Sequence, residues 1–347
     1  MIIIGCDLHT RSEQIAMLDT ETGEFEERRL EHEDGEVRRF YAGLKEPALV
    51  GIESTGYTRW FADMLAELGH ELVVGEAGKI RAMETRKQKH DRRDAEHILN
   101  LLLRGDFPKI WLPSAEERDV RVLLEHRHQL VELRTRAQNG LQAIALSYGL
   151  RRRRRLWSER GQEELKELPL REGMGRRRAD LLRLVRQLNI WVQELDGRIE
   201  LEVAQREEAQ RLMTHPGVGP QTALATVLVL GPVERFPDDR HLTSYLGLIP
   251  QEDSSAGRQR FGHLTKQGNR LLRWLLVEAA QTASRYDPRL RRAYRRLAFR
   301  KGRPVAKVAI ARKLAIRLYI MLRDKIDYTE FCRRGSHAGM LEDVALV

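Results

Sequence analysis

The sequence predicts an α/β domain with a mixed sheet, followed by a long helical connection and a mostly helical second part. Three observations lead to this prediction. Short apolar runs separated by turns fill residues 1–113, as in a sheet-forming domain. Two long helix-periodic segments follow, and Pro216 is predicted to end the second of them. A chain of 347 residues is long enough for two domains and a connection.

The first elements read as a hairpin that is extended by alternating strands and helices. Two early apolar segments flank the turn Glu21–Glu24, which is typical of a β-hairpin. The later units alternate between buried-strand runs and amphipathic helices, so the sheet is expected to be mixed. The predicted strands are 2–7, 13–18, 25–30, 48–52 and 71–74, and the predicted helices are 34–45 and 57–68.

Two charged, helix-periodic segments, 115–148 and 176–213, predict a coiled-coil arm. Each segment carries an apolar stripe with steps of three, four or seven residues. Two antiparallel helices of this length would separate domains or join two protomers. Two ordinary helices of a bundle are the alternative. The stripes are Leu123, Leu130, Leu133, Ala137, Leu141 and Ile144 in the first segment, and Leu181, Leu184, Leu188, Trp191 and Leu195 in the second.

The charges are unevenly distributed along the chain. Residues 1–110 hold 16 Lys and Arg against 22 Asp and Glu, a net charge of −6, whereas residues 262–323 hold 17 against two, a net charge of +15. So concentrated a basic segment favours a nucleic-acid partner over a merely solvated surface. The two cysteines, Cys6 and Cys332, exclude a disulfide framework. With no membrane-length apolar run and no signal peptide, they predict a cytoplasmic protein.

Four acidic residues are candidate metal ligands. Asp7 and Glu53 each follow the apolar part of a predicted strand, and Asp91 and Asp94 are spaced i, i+3 on one face of a helix. Carboxylates brought together in this way would repel each other unless Mg²⁺ or Mn²⁺ bridged them. Each acid alone is more simply a helix cap or a solvated strand end, and only the ordered set favours a metal site.

Two motifs of the second part carry candidate nucleic-acid contacts. The segment His215–Ala223 has a Pro-Gly-x-Gly turn in which the backbone at Gly217 and Gly219 could approach a phosphate. It resembles a helix-hairpin-helix DNA-binding motif, and a plain turn between helices is the alternative. Further along, Ser254 and Ser255 lie in a polar loop that is followed by cations able to stabilise a phosphate under attack. These cations are Arg258, Arg260, Lys266, Arg270 and Arg273.

Taken in order, these motifs resemble those of the DEDD-type insertion-sequence transposases of the IS110 family, the RNA-bridged serine recombinases. The resemblance covers nearly the whole chain. Its segments are Gly5–His9, Gly51–Tyr57, Lys89–Glu96, Pro216–Gly219, Leu246–Pro250, Ser254–Ser255, Thr265–Asn269 and Leu272–Arg273.

The resemblance implies a ribonuclease-H-like (RuvC-type) domain at 1–113, a coiled-coil arm at 114–213, a serine-bearing transposase domain at 214–334 and a tail at 335–347. Its acidic quartet falls on Asp7, Glu53, Asp91 and Asp94. The family's nucleophilic serine directly precedes a glycine, whereas Ser255 precedes Ala256. Ser255 is therefore the nearest match, and Ser254 is the alternative.

The resemblance also implies the partners: donor and target DNA, and a noncoding guide RNA that pairs with both. Dimers or tetramers are expected, and no membrane partner is expected. The predicted activity is Mg²⁺-dependent cutting and rejoining of DNA. The rival hypotheses are a junction-resolving nuclease that uses only the acidic domain, and a non-catalytic nucleic-acid-binding scaffold.

Overall fold

The computed structural model describes residues 1–84, 91–151, 156–252 and 260–334. The chain divides into two compact units, Met1–Ala115 and Glu116–Val347. Each unit has its own hydrophobic core.

The first unit is built on a five-stranded sheet of order β3-β2-β1-β4-β5. Strands β1, β2 and β3 pair antiparallel, whereas β1, β4 and β5 pair parallel. The predicted mixed sheet is therefore confirmed. The strands are β1 (Ile2–Leu8), β2 (Ser12–Asp19), β3 (Phe25–Glu31), β4 (Ala48–Glu53) and β5 (Glu71–Gly75).

Helices cover both faces of this sheet because successive side chains of a strand point to opposite sides. In β1, Ile2, Ile4 and Cys6 pack into the core shared with α1 and α2. Ile3 packs on the other side, against Ala95 and Leu99 of α4. The helices of this unit are α1 (Glu36–Ala42), α2 (Arg59–Glu67), α3 (Ala77–Met83) and α4 (Asp91–Arg104).

Two 33-residue helices, α5 (Ala115–Ser147) and α7 (Glu172–Ala204), form an antiparallel pair. Arg127 donates to Asp196 at 2.9 Å, and further along α5 Arg134 donates to Asn189 at 3.1 Å. As the residue number rises along α5, the number of its bonding partner on α7 falls, so the two helices run in opposite directions. The short helix α6 (Glu159–Glu167) lies in the connection between them.

The structure corrects the predicted apolar stripes of this pair. Leu133, Leu184 and Trp191 are exposed, because each lies beside the seam that the partner helix covers. Both rows of α7 are apolar at helical spacing, so periodicity alone could not select the buried one. The buried positions are Val120, Leu124, Leu130, Ala137, Leu141, Ile144 and Ala145 in α5, and Val185, Leu188, Val192, Ile199 and Val203 in α7.

The second arm helix also ends earlier than Pro216. Helix α7 stops at Ala204, and a separate helix α8 (Glu207–Met213) follows. The Arg206 guanidinium donates to the Glu202 carbonyl at 2.9 Å, and Gln210 Nε2 donates to the Ala204 carbonyl at 2.7 Å. These bonds satisfy carbonyls that the helix end leaves open, so the helix ends here without a glycine or proline.

The rest of the second unit is mostly helical, as predicted. Its core also includes Val120 and Leu124 of α5 and Ile199 and Val203 of α7, so one end of the helix pair belongs to this core. No helix within the described ranges is both long and apolar enough to cross a membrane. The remaining elements are α9 (Pro220–Leu230), α10 (Asp239–Tyr245), β6 (Pro250–Glu252), β7 (Phe261–Leu264), α11 (Arg270–Tyr286), α12 (Pro288–Lys301), α13 (Arg303–Arg323) and α14 (Tyr328–Arg333).

Candidate metal centre and nucleic-acid interface

Asp7 and Glu53 lie at the same edge of the first unit's sheet. Cys6 of β1 is the register partner of Ile52 of β4, and the two strands are parallel. Asp7 directly follows Cys6, and Glu53 directly follows Ile52. The carboxyl ends of neighbouring parallel strands therefore each carry an acid. Both are partly shielded from solvent, with side chains 18% and 34% exposed.

Helix α4 approaches this edge across a row of small residues. Gly5 of β1 pairs with Ala16 on one side and with Gly51 on the other. A Cβ atom at Gly5 would lie 2.2 Å from the carbonyl oxygen of Ala95, an atom of the α4 backbone. Only a glycine allows so close a contact. We call Ala16, Gly5 and Gly51 the α4 seat.

The α4 seat brings the start of the acidic helix near the strand end. Asp94 directly precedes Ala95, the residue that touches β1 at Gly5, and Gly5 is two residues before Asp7. Asp91 begins α4, but its side chain lies outside the described residues. The structure thus places Asp7, Glu53 and the first turn of α4 at one side of the sheet.

Basic and polar groups flank the two strand-end carboxylates. His9 Nε2 lies 3.1 Å from Asp7 Oδ2, and Arg81 Nη2 lies 3.9 Å from Glu53 Oε1. Tyr57 donates a hydrogen bond of 3.2 Å to the carbonyl of Leu8, which ties the loop after β4 to the end of β1. No role for His9 is predicted from the sequence, and its position beside Asp7 is seen only in the structure.

These residues suit a hard cation by their chemistry. Carboxylate oxygens are the ligands that Mg²⁺ and Mn²⁺ prefer. Among the side chains that the structure describes, no three His, Cys, Asp or Glu are close enough to hold one ion together. The arrangement provides oxygen donors at adjacent strand ends, and the Arg81 guanidinium beside Glu53 offsets part of their charge.

A buried polar cluster lies on the opposite face of the same sheet, and the sequence interpretation missed it. Glu13 is fully buried, and His32 Nε2 lies 3.7 Å from its Oε2 atom. Burial raises the pKa of the Glu13 carboxyl, and pairing with Glu13 raises the pKa of His32. The alternation Glu13, Ile15, Met17 along β2 was a signal, because it puts Glu13 on the same side as two apolar residues.

The predicted serine loop joins two short paired strands of the second unit. Strands β6 and β7 are antiparallel, with Pro250 opposite Leu264. Ser254, Ser255 and Arg258 lie outside the described residues. The predicted contacts Arg260, Lys266 and Arg270 are exposed.

Arg273 differs from the other predicted contacts in its surroundings. Its guanidinium donates to the carbonyls of Leu246 and Gln267, at 3.1 Å and 2.5 Å. These bonds join the segment after β7 to the end of α10. The same two segments pack closely, since a Cβ atom at Gly247 would lie 2.3 Å from the carbonyl oxygen of Gln267.

The Pro-Gly-x-Gly turn joins α8 to α9, as the sequence predicted for a connection between helices. Gly217 has a φ of +87°, and a Cβ atom there would lie 2.5 Å from the backbone nitrogen of Ala283 in α11. Packing inside the unit therefore explains why a glycine stands at 217. Gly219 precedes α9 and has open space around its Cα. Burial of the neighbouring His215 lowers its pKa to about 4.

Comparisons with known proteins show which family this chain belongs to. A DEDD transposase model of the IS110 type matches residues 4–149, and a model described as the transposase IS116/IS110/IS902 family matches residues 209–295. A probable family 20 transposase of Pseudomonas aeruginosa is 30% identical over 340 residues, covering 94% of this chain and 98% of the relative.

Two further relatives belong to named insertion sequences. The transposase of IS1111A from Coxiella burnetii is 31% identical, covering 58% of this chain and 56% of its own length. The transposase of IS1328 from Yersinia enterocolitica is 27% identical, covering 68% of this chain and 70% of its own length.

The strand-end acids, the basic helical unit and these matches together define an insertion-sequence transposase, an enzyme that cuts and rejoins DNA. The chain belongs to the IS116/IS110/IS902 transposase family.

Proposed function

We propose that this transposase uses a metal-bound acidic site in 1–113 together with a serine nucleophile in 214–334. The observation that carries the proposal is that Asp7, Glu53 and the first turn of α4 lie at one side of the sheet. The strand order, an antiparallel hairpin extended by two parallel strands, supports a ribonuclease-H-like domain of the RuvC type.

In this proposal Asp7, Glu53, Asp91 and Asp94 hold Mg²⁺ or Mn²⁺. The bound ion would neutralise charge on the phosphodiester and lower the barrier to its displacement. The chain's own residues prepare the site. The α4 seat fixes the helix, the two strand ends hold Asp7 and Glu53, and Arg81 offsets part of the carboxylate charge until the ion binds.

Ser255 is the proposed nucleophile, with Ser254 as the alternative. Its Oγ forms a bond to phosphorus while the bond from phosphorus to one strand end breaks. The serine proton is lost and the leaving strand end takes up a proton, so it departs as a hydroxyl. The resulting ester conserves the energy of the broken bond, which allows rejoining without ATP. Arg258 and Arg260 would stabilise the charge on the phosphate.

The proposed nucleic-acid partners are donor DNA, target DNA and a noncoding guide RNA. The net charge of +15 in residues 262–323 supports a polyphosphate partner. The proposed contacts are Gly217, Gly219, Arg258, Arg260, Lys266, Arg270 and Arg273. The same proposal places the enzyme in the cytoplasm.

We further propose that the enzyme works as a dimer or tetramer, assembled through a coiled-coil arm at 114–213. The support is the set of exposed apolar side chains on α5 and α7, which include Val122, Leu133, Ile190 and Leu201. Light scattering should then give at least twice the mass of one chain. A monomer both alone and with nucleic acid would contradict this part of the proposal.

The serine chemistry can be tested by trapping the protein on labelled DNA under denaturing conditions, with guide RNA and Mg²⁺ present. Wild type should give a covalent adduct, Ser255→Ala none, and Ser254→Ala a reduced or normal amount. If only Ser254→Ala abolishes the adduct, the other serine is the nucleophile. If an active enzyme forms no adduct, a nuclease that uses only the acidic domain becomes the better hypothesis.

The metal site can be tested by calorimetry with Mn²⁺. Asp7→Asn and Asp94→Asn should each abolish binding. Asp19→Asn is a matched control. Asp19 ends β2 and pairs with Ile2 at the start of β1, so it lies at the opposite end of the strand from Asp7. Unchanged binding in both site variants would favour a scaffold whose acids are only structural.

A further inference from the structure

Helix α12 carries an unusual set of charges. Its sequence, PRLRRAYRRLAFRK, has seven arginine or lysine residues and no acid. In other helices of the second unit, some arginines pair with an acid one turn away, as in Arg160–Glu164 and Arg176–Asp180. The charge of α12 is therefore not balanced within the helix.

One face of α12 combines cations with an aromatic ring. Arg292, Arg295 and Arg296 precede Phe299 by seven, four and three residues, so all four lie on one side of the helix. All four are exposed, and Phe299 is 93% exposed. The opposite side packs into the core through Leu290 and Leu297. We call Arg292, Arg295, Arg296 and Phe299 the α12 face.

The arginines of this face repel one another in the isolated chain. Arg292 and Arg296 are spaced i, i+4, a like-charge pair that weakens a helix. Arg292, Arg295 and Arg296 form no ion pair with any described residue. A ligand with closely spaced negative charges would remove this repulsion.

The edge of the same face borders a basic cavity of about 360 Å³ between α11 and α12. None of the described residues that line it is acidic, and Arg295 belongs to both the cavity and the α12 face. Phosphate groups could therefore follow a continuous path from the cavity along the helix. The lining residues are Gln281, Ser284, Arg285, Arg291, Tyr294 and Arg295.

The exposed Phe299 ring favours a single strand over a duplex as the ligand of the α12 face. The backbone of a duplex offers phosphates to the arginines but gives Phe299 no apolar surface. An unpaired base offers a flat apolar face, and stacking on an aromatic side chain is a main source of affinity for single strands.

We propose that the α12 face binds an unpaired nucleic-acid strand, with one base stacked on Phe299 and the adjoining phosphates held by Arg292, Arg295 and Arg296. The proposal rests on the family's action on DNA and does not depend on the metal or the serine. Its main rival is a protein contact, in which the α12 face binds an acidic surface of a second copy of this chain.

The test measures binding of a fluorescent 15-nucleotide oligothymidylate by anisotropy, in EDTA and at fixed salt. Phe299→Ala should weaken binding by roughly tenfold, the effect of losing one stacked base. Phe299→Trp should bind at least as tightly as wild type. Phe25→Ala is the matched control, because Phe25 is 51% exposed in the first unit, and it should change nothing.

A second probe separates the base from the backbone. An abasic 15-mer keeps the phosphates, so Phe299→Ala and wild type should bind it equally. The double variant Arg292→Gln with Arg296→Gln should weaken binding to both probes. It should also reduce the salt slope by about 1.4, at about 0.7 for each lost phosphate contact on a single strand. An oligouridylate of the same length shows whether RNA or DNA is preferred. If Phe299 stacks on a base, Phe299→Ala should lower the affinity for the preferred oligonucleotide.

Several results would overturn the proposal. Unchanged oligothymidylate affinity in Phe299→Ala would exclude the stacked base. An equal loss on the abasic strand or on a duplex would show that the ring acts through folding or duplex contacts. If sedimentation shows weaker self-association in Phe299→Ala while strand affinity is unchanged, the protein contact is correct. Because every measurement is made in EDTA, failure of the metal site would leave these results unaffected.

Discussion

Replacing Gly5 with alanine would test whether the α4 seat fixes the acidic helix. The new Cβ would lie 2.2 Å from the Ala95 carbonyl oxygen and 2.4 Å from the Leu99 nitrogen. Both atoms belong to the helix backbone and cannot rotate away. To reach an ordinary contact of 3.4 Å, α4 must retreat by about 1 Å. Overpacking of this kind costs about 1–3 kcal/mol.

The matched control is Gly51→Ala, one strand away in the same seat. Its nearest contact would be Leu102 Cδ1 at 2.6 Å, the end of a flexible side chain that can rotate. Replacing a glycine also restricts the unfolded chain, which favours folding by about 0.4–1 kcal/mol. The control should therefore lose less than about 1 kcal/mol.

Hydrogen exchange of the α4 and β1 amides measures the difference, since local protection reports local opening free energy. A loss of 1–3 kcal/mol corresponds to roughly five- to 150-fold faster exchange in Gly5→Ala. The same variant should weaken Mn²⁺ binding, because Asp94 moves with the helix. If Gly5→Ala and Gly51→Ala exchange at the same rate, the backbone contact at the α4 seat does not position the acidic helix.

Three further predictions concern the second unit. Non-specific nucleic-acid affinity of the segment 262–323 should fall by roughly 10³-fold between 50 and 200 mM salt, and a flat dependence in a filter-binding titration would contradict this. His215 has a pKa of about 4 when folded, below its ordinary 6.5, so the unfolded chain binds the proton first. Stability should therefore decline as pH falls from 6.5 to 4 by about 3 kcal/mol, and His215→Gln should flatten that part of the urea-midpoint profile. Asp287→Asn should cost about 3 kcal/mol because it leaves Arg317, 2.6 Å away, without its buried partner. Asp238→Asn, at an exposed helix cap, should cost under about 1 kcal/mol. Equal urea midpoints for these two variants would contradict a larger stabilising role for the buried Asp287–Arg317 pair.

The sheet could be predicted from sequence because its signals are local. The run Ile2–Ile4 and the alternation along β2 each encode a strand within a few residues. The position of Asp7 and Glu53 at strand ends follows from the same signals. That both ends lie at one edge follows from the parallel pairing of β1 with β4 in the structure.

Contacts between distant segments could not be predicted in the same way. The motif Gly5–His9 includes Gly5, but nothing in the motif shows that the Ala95 carbonyl of α4 contacts this glycine. The end of α7 depends on the side chains of Arg206 and Gln210 reaching back to carbonyls, and neither residue type is a general stop signal. The buried row of α7 was misassigned because two apolar rows compete and only the partner helix selects one.

The opposite charges of the two ends of the chain suggest how the proposed activities depend on each other. Residues 1–110 carry a net charge of −6 and would repel a phosphodiester without help. Residues 262–323, at +15, supply the long-range attraction. A cation bound by Asp7 and Glu53 would remove the local repulsion only where the acids meet. DNA binding should therefore survive Asp7→Asn and cleavage should not. A variant of the α12 face should show the reverse, with weaker strand binding and an intact Mn²⁺ site.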